Sequence, residues 1–171
     1  KYQEALKYAS KKGSDRNMAL GSIRDIHRFQ GKFELALQEN DYFLKQAPNF
    51  QPSVDMRLQI EALIKARDTK SNQPIYDHID FLKKKYIDTI PPKKYSFESL
   101  SPVATVIYLY NYIGDANSGA SFMKEVLSCP TVDKWTRAEY EKVKAAFEED
   151  MRTGQKGHLA KVYETSEYLP W

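Results

Sequence analysis

Residues 31–50 read GKFELALQENDYFLKQAPNF, and this stretch decides how the fold is interpreted. Gly31 can adopt the left-handed backbone of a tight turn, and Pro48 cannot continue a helix because it lacks a backbone N–H. Between them, apolar residues recur three and four positions apart, which is the spacing of an amphipathic helix. The pattern predicts a helix from Phe33 to Ala47, with a turn before it and a stop after it.

The rest of the chain repeats this design, with glycine and proline standing between amphipathic runs. Only 7 glycines and 8 prolines occur among the 171 residues. No stretch shows the strict alternation of a half-buried strand, so we expect an all-α fold of about nine helices. These helices are predicted at residues 2–12, 14–29, 33–47, 54–67, 74–86, 102–113, 115–128, 136–154 and 158–168.

Three of the predicted helices begin with side chains that are expected to cap them. Ser53 precedes the fourth helix, and Ser101 with Pro102 forms a good N-cap and first-residue pair for the sixth. Thr136 and Glu139 have the spacing of a capping box at the start of the eighth helix. These side chains therefore predict where the three helices start.

The composition is that of a globular protein with a sizeable core. Hydrophobic residues make up 42% of the chain, and no apolar run approaches the roughly 20 residues that span a bilayer. Residues 1–94 carry 18 Lys or Arg and 12 Asp or Glu, for a net charge of +6, whereas residues 95–171 carry 8 and 11, for −3. Because this imbalance is small, it does not indicate DNA binding.

Cys129 is the single cysteine, so the chain forms no internal disulfide. This slightly favours a reducing compartment such as the cytoplasm, although secreted proteins of this size can also lack disulfides. The chain begins at Lys1 and not at a methionine, so a processed form, a secreted form and a fragment of a longer chain all stay open. The sequence therefore leaves the localisation undetermined.

The window Asn17–Phe50 has the length and the residue types of one repeating unit. Large apolar residues occur at helical spacing in its first half, Gly31 follows at the turn, and the small residue Ala36 precedes the proline exit at Pro48. This window resembles the tetratricopeptide repeat. It departs from that family at Arg24, where the family often has glycine. The resemblance implies antiparallel helix pairs stacked into an α-α superhelix.

The same resemblance, in looser form, extends to other parts of the chain. The looser repeat has Gly114 at its turn and Gly119 or Ala120 as its small residue. We therefore expect a single domain of tetratricopeptide-like repeats over residues 1–171. Its parts are a second helix of a preceding pair at 1–13, the best repeat at 17–50, an irregular repeat at 51–90, a looser repeat at 100–130, and capping helices at 133–171.

No catalytic or metal-binding constellation is recognisable in the sequence. Glycine-rich nucleotide-binding loops, the nucleophile elbow of hydrolases and the zinc-protease motif are all missing. His27 falls at an apolar position of its helix, whereas His78 and His158 are expected at the surface. We therefore predict a non-catalytic protein with no cofactor and no metal, and we keep a helical enzyme as the least favoured alternative.

The resemblance implies that the first helices of the pairs line a concave groove that binds a protein or peptide. A role as a subunit of a larger complex is also open. Tyr, Arg and Asn suit peptide recognition because they combine contact area with directed hydrogen bonds. For Tyr108 and Tyr112, packing against the next helix is an equal alternative. Family members that bind the acidic C-termini of chaperones have Lys and Asn where this chain has Gly21 and Asp25, so that specialised function is not expected. The expected binding residues are Asp25, Arg28, Arg57, Tyr108, Asn111 and Tyr112.

The run FLKKKY at residues 81–86 carries an alternative hypothesis. Its three lysines are expected to fan outward, and two more lysines follow close by in the chain. Such a surface would attach the protein to RNA or to an anionic membrane, and its binding would weaken with salt. A solvated face at a helix C-terminus, favoured by the helix dipole, is the preferred explanation of these lysines. This basic surface consists of Lys83, Lys84, Lys85, Lys93 and Lys94.

Overall fold

The computed structural model describes residues 14–88, 95 and 100–165, and it gives only the backbone of residues 14–19 and 164. All regular structure in these residues is helical, which confirms the all-α prediction. The helix predicted at residues 2–12 lies outside the described residues. The described helices are α1 (Ser14–Phe29), α2 (Phe33–Gln46), α3 (Gln51–Thr69), α4 (Gln73–Leu82) with a π-helical turn (Lys83–Ile87) after it, α5 (Leu100–Ile113), α6 (Ala116–Ser128), α7 (Lys134–Thr153) and α8 (His158–Thr165).

The chain forms two compact units whose boundary falls inside α4, between His78 and Ile79. In unit 1, α1 packs on α2, and α2 packs on α3. In unit 2, the helices α5, α6 and α7 all pack on one another, α8 packs on α7, and α5 contacts the π-helical turn. Short connections between packed neighbours make consecutive helices antiparallel within each unit.

The core of unit 1 is built from the apolar faces of α1, α2 and α3. Gly31 has a φ of +73°, so the predicted left-handed turn joins α1 to α2. Phe33 and Ala36 of α2 are fully buried, as are Ile60 and Leu63 of α3. The small side chain of Ala36 occupies an interior position, as expected where two helices approach closely.

The centre of unit 2 is α5, which is buried on nearly all sides. Nine of its fourteen residues are buried, from Leu100 to Asn111. A helix that is apolar around its whole circumference must lie in the interior of its unit. Gly114 turns the chain into α6 with a φ of +75°, and Gly154 ends α7 with a φ of +69°.

The three predicted caps are wrong. The helix α3 begins at Gln51 after Phe50, and Ser53 is a buried residue of its first turn. The helix α5 begins at Leu100, before the predicted serine cap. The N-cap of α7 is Asp133, whose carboxylate accepts hydrogen bonds from the backbone N–H of Thr136 at 2.8 Å and from its hydroxyl at 2.6 Å. A carboxylate three residues earlier therefore occupies the capping position that the sequence pattern gives to threonine.

Gly119 of α6 faces the buried ring of Phe147 on α7. A Cβ at position 119 would overlap three ring carbons of Phe147, which is only 1% exposed and has little room to move. Gly119→Ala should therefore lower the free energy of unfolding by about 1–2 kcal/mol, because the overlap outweighs the gain in helix propensity. Urea denaturation followed by circular dichroism measures the change.

Gly21 offers the matched control, because it also lies inside a helix but has open space around its Cβ position. Gly21→Ala should raise the free energy of unfolding by about 0.5–1 kcal/mol, because alanine meets no clash and reduces the conformational freedom of the unfolded chain. If both alanine variants were more stable than the wild type, the described packing of α6 on α7 would be wrong.

Candidate functional site

Asp25 and Arg28 are buried in unit 1, although the sequence predicts that they line a groove. Asp25 is fully buried, and its carboxylate accepts hydrogen bonds from Arg24 Nε at 3.3 Å and Nη2 at 3.1 Å. Arg28 Nε lies 3.6 Å from the same carboxylate. These side chains therefore present no open surface to a partner.

The buried charges of α1 are linked to α2 and α3. Arg24 Nη1 donates to Asn40 Oδ1 at 3.2 Å, and Asn40 Nδ2 donates to the carbonyl of Ser53 at 2.8 Å. Because a buried charge is costly without partners, this chain of hydrogen bonds makes the interior position of Asp25 tolerable. The polar residues of this cluster connect the three helices of unit 1.

Arg57 is exposed, as expected for a binding residue. Its Nε donates to Glu61 at 2.8 Å along α3, and its Nη1 lies 3.3 Å from Asp41 on α2. The hydrogen bond to Glu61 is the main cause of the raised pKa of Arg57, with the negative charge of Asp41 adding to it. Arg57 thus lies at the exposed junction of α2 and α3.

A second exposed arginine bridges the same two helices. Arg67 of α3 donates to both carboxylate oxygens of Glu34 on α2, at 3.1 Å and 2.5 Å, and it also contacts Asp68. The hydrogen bond from Arg67 lowers the pKa of Glu34. The junction of α2 and α3 therefore carries two arginine-centred ion-pair groups.

Exposed large apolar side chains concentrate on α2, α3 and their connection. Five such side chains are found among the described residues, and four of them fall within a short stretch of unit 1. The fifth, Trp135, lies in unit 2 and is 40% exposed. We call the unit 1 group the α2–α3 patch; it consists of Leu35 (45% exposed), Tyr42 (38%), Phe50 (54%) and Leu58 (40%).

The α2–α3 patch is missing from the residues predicted by sequence, although its signal is present. Leu35 and Tyr42 are seven residues apart and so share one face of α2. That face lies opposite the buried positions Phe33, Ala36 and Asn40. Apolar residues on the polar side of an amphipathic helix are the detectable sign of such a surface.

In unit 2, both Tyr108 and Asn111 are buried. Of the two positions considered for Tyr108, in a groove or packed in the interior, the structure has the second. Tyr108 is 7% exposed and Asn111 is 3% exposed. Asn111 Nδ2 donates to Asp150 Oδ2 at 2.8 Å. Tyr112 is half-buried, and its carbonyl accepts a hydrogen bond from Lys156, whose ammonium also lies 5.0 Å from the centre of the Tyr112 ring. The inward position of these residues follows from the burial of α5.

Asp150 connects α5, α7 and α8. It is 1% exposed and receives, besides the Asn111 bond, the backbone N–H groups of His158 at 2.8 Å and Leu159 at 3.1 Å. The ring nitrogen Nδ1 of His158 lies 2.9 Å from the same carboxylate. These N–H groups begin α8 and have no partner within the helix, so Asp150 satisfies them.

The lysines of the basic run do not all fan outward. Lys83 donates to the hydroxyl of Tyr110 at 3.3 Å, and its ammonium lies 4.6 Å from the centre of the Phe122 ring. Lys85 lies over the ring of Tyr86 at 4.8 Å, whereas Lys84 is exposed. Lys93 and Lys94 lie outside the described residues. Aromatic contacts therefore occupy two of the three lysines that the structure describes.

His78 is buried and not at the surface, which corrects the expectation from the sequence. It is 7% exposed in α4. Burial lowers its pKa to about 4, against the smaller opposing effect of the Asp55 charge. His27 and His158 are only partly buried, and each lies 2.9 Å from a carboxylate, of Glu39 and Asp150 respectively.

The buried His78 predicts a specific pH dependence of stability. Its ordinary pKa is about 6.5, so between this value and about 4 the unfolded chain binds more protons than the folded one. The free energy of unfolding should therefore fall as the pH is lowered through this window. From pH 7 to pH 5, the wild type should lose about 2 kcal/mol more than His78→Gln. Urea denaturation at both pH values tests this, and equal losses would contradict it.

The described part of the chain contains neither a metal-binding cluster nor a membrane-spanning helix. No group of three or more His, Cys, Asp or Glu side chains could hold a metal ion there. Among residues 14–88 and 100–165, no helix is both long and apolar enough to cross a bilayer. The α2–α3 patch, with its two arginine-centred ion-pair groups, is the candidate binding surface of unit 1.

The fold places this chain in the all-α class of proteins. Comparison with known proteins does not assign it to a family. No family model matches the chain, and neither a curated protein sequence nor a solved structure gives a significant match. The assignment of function consequently depends on the geometry of this chain.

Proposed function

We propose that this chain is a non-catalytic helical scaffold that binds a protein partner, and that the α2–α3 patch is its contact surface. The observation that carries the proposal is the concentration of four of the five exposed large apolar side chains on α2, α3 and their connection. Single exposed apolar residues are ordinary, whereas a group of them indicates an interaction site.

The residue types around the α2–α3 patch support protein binding. Tyr and Arg dominate the energetics of many interfaces, and here Tyr42 stands next to Asp41, which pairs with Arg57. An apolar centre beside charged groups matches the usual design of an interface with a polar rim. Of the binding residues expected from the sequence, Arg57 alone adjoins this surface.

We also propose that the scaffold is built from tetratricopeptide-like helix pairs. In unit 2, α5 packs on both α6 and α7, and α6 also packs on α7. A helix pair that stacks on the first helix of the next pair makes these three contacts, so they support a tetratricopeptide-like arrangement. Gly31 and Gly114, each with a positive φ at the turn within a pair, support it as well.

Photo-crosslinking tests the proposed contact surface. Benzoylphenylalanine is placed at Leu58 in the α2–α3 patch or, as the matched control, at Trp135 in unit 2, since both side chains are 40% exposed. In cells of the organism that makes the protein, position 58 should give one discrete protein adduct and position 135 should not give it. An equal pattern of adducts at both positions, or no adduct at position 58, would overturn the proposal.

A further inference from the structure

We propose that the partner of the α2–α3 patch is a helical segment with an apolar stripe and with carboxylate side chains at both ends of that stripe. This inference rests on the proposed function and names the chemistry of the partner. It follows from how the apolar side chains and the unpaired lysines are arranged along α2 and α3.

The exposed apolar residues of the α2–α3 patch are distributed over α2, α3 and their connection. The ion pair between Asp41 and Arg57 places these two charged residues at the same level along the axes of α2 and α3, with 3.3 Å between the charged atoms. Tyr42 and Leu58 directly follow them in the chain and therefore lie at nearly the same level. Leu35 precedes Tyr42 by seven residues, which places it on the same face of α2 at about 10 Å along the axis.

The carboxylates at the α2–α3 junction are already engaged by arginines. Glu34 receives both hydrogen bonds from Arg67. Asp41 and Glu61 share Arg57. These carboxylates have their positive partners within the chain, so they offer little to a partner's cation.

Two exposed lysines on the same faces are available for pairing. Lys45 follows Tyr42 by three residues on α2, and Lys65 follows Leu58 by seven residues on α3. Among the described residues, neither lysine has a carboxylate within ion-pair distance. The charge that is free to pair with a partner on this face is therefore positive.

The lysines lie at opposite ends of the apolar group because α2 and α3 run antiparallel. Counted from the level of Asp41 and Arg57, Lys45 lies four residues along α2 and Lys65 lies eight residues along α3 in the opposite direction. Their separation along the helix axes is thus about 18 Å, the length of about 12 residues of a helix. A partner helix laid along the patch would meet one lysine near each end.

A helical partner suits this surface better than an extended strand. The outer face of two packed helices presents ridges and a shallow groove, into which a third amphipathic helix can pack. No edge of a sheet is present in the described residues to pair with an extended peptide. Carboxylates at the ends of the partner's stripe would then pair with Lys45 and Lys65.

Three synthetic helical peptides of about 14 residues test the charge preference. All share one apolar stripe, and their ends carry glutamate, glutamine or lysine. Fluorescence anisotropy at low salt measures their binding to the full chain. The glutamate peptide should bind about tenfold more tightly than the lysine peptide. The double variant Lys45→Glu/Lys65→Glu should reverse this order, whereas the control Lys124→Glu/Lys161→Glu in unit 2 should retain it.

The variant Tyr42→Ser/Leu58→Ser separates the inference from the proposed function. Loss of glutamate-peptide binding in this variant, together with the charge preference, supports the inference. If the wild type binds all three peptides equally and the variant binds none of them, the inference of an acidic partner is overturned. The α2–α3 patch would then still be a binding surface. Binding that is indifferent to this variant, or no binding at all, overturns the inference, while the crosslinking at Leu58 decides the proposed function separately.

Discussion

Asp150→Ala should lower the free energy of unfolding of unit 2 by about 3–5 kcal/mol. The wild-type carboxylate accepts hydrogen bonds from Asn111, from the backbone N–H of His158 and from that of Leu159. Alanine would leave a buried amide and the first N–H groups of α8 without their acceptor. Such losses are costly because water cannot reach the groups to replace the bonds.

Hydrogen exchange and urea denaturation measure this effect by region. The N–H groups at the start of α8 should lose protection first in Asp150→Ala, because they no longer have an acceptor. Glu148→Ala on the same helix is the matched control, since its exposed ion pair with Lys144 should contribute little to stability. If Asp150→Ala were as stable as Glu148→Ala, Asp150 would not connect α5, α7 and α8 as described.

Asp25→Ala should destabilise unit 1 by a similar amount, about 3–5 kcal/mol. Asp25 is fully buried, and both Arg24 and Arg28 are at least nine-tenths buried beside it. Removing the carboxylate leaves two guanidinium groups in the interior without this counter-charge. Breaking one partner of a buried ion pair is far more costly than breaking an exposed one.

Asp41→Ala is the matched control for Asp25→Ala, because it breaks an exposed ion pair of the same unit. Chemical denaturation of both variants should give a large loss of stability at position 25 and little change at position 41. Comparable small losses in the two variants would show that the buried cluster of α1 does not stabilise unit 1.

Much of the helical fold could be predicted from the sequence because its signals are local. Apolar spacing located the described helices, and the turns at Gly31 and Gly114 have the positive φ values that glycine tolerates. The start of α7 was missed because Asp133 and Thr136 both suit an N-cap, and only the backbone position decides between them. Helix existence was therefore more predictable than helix boundaries.

The candidate site could be predicted only in part, because burial of a polar residue depends on distant partners. Asp25 is neutralised within α1, but Arg24 also needs Asn40, sixteen residues away. The side-chain Nδ2 of Asn111 donates to Asp150, which is thirty-nine residues away. Spacing within one helix cannot reveal such pairs, so these polar residues were assigned to a groove. Arg57, by contrast, is exposed, and its main partner Glu61 lies one turn away, within the range of spacing along one helix.

The most direct test of the central claim is the dissociation constant of the partner that is captured at Leu58. It is measured for the wild type and for Tyr42→Ser/Leu58→Ser, with circular dichroism to establish that the variant keeps its helical content. We predict at least about tenfold weaker binding by the variant, because both side chains belong to the contact surface. Equal dissociation constants for the two proteins would contradict the assignment of the α2–α3 patch as a protein-binding surface.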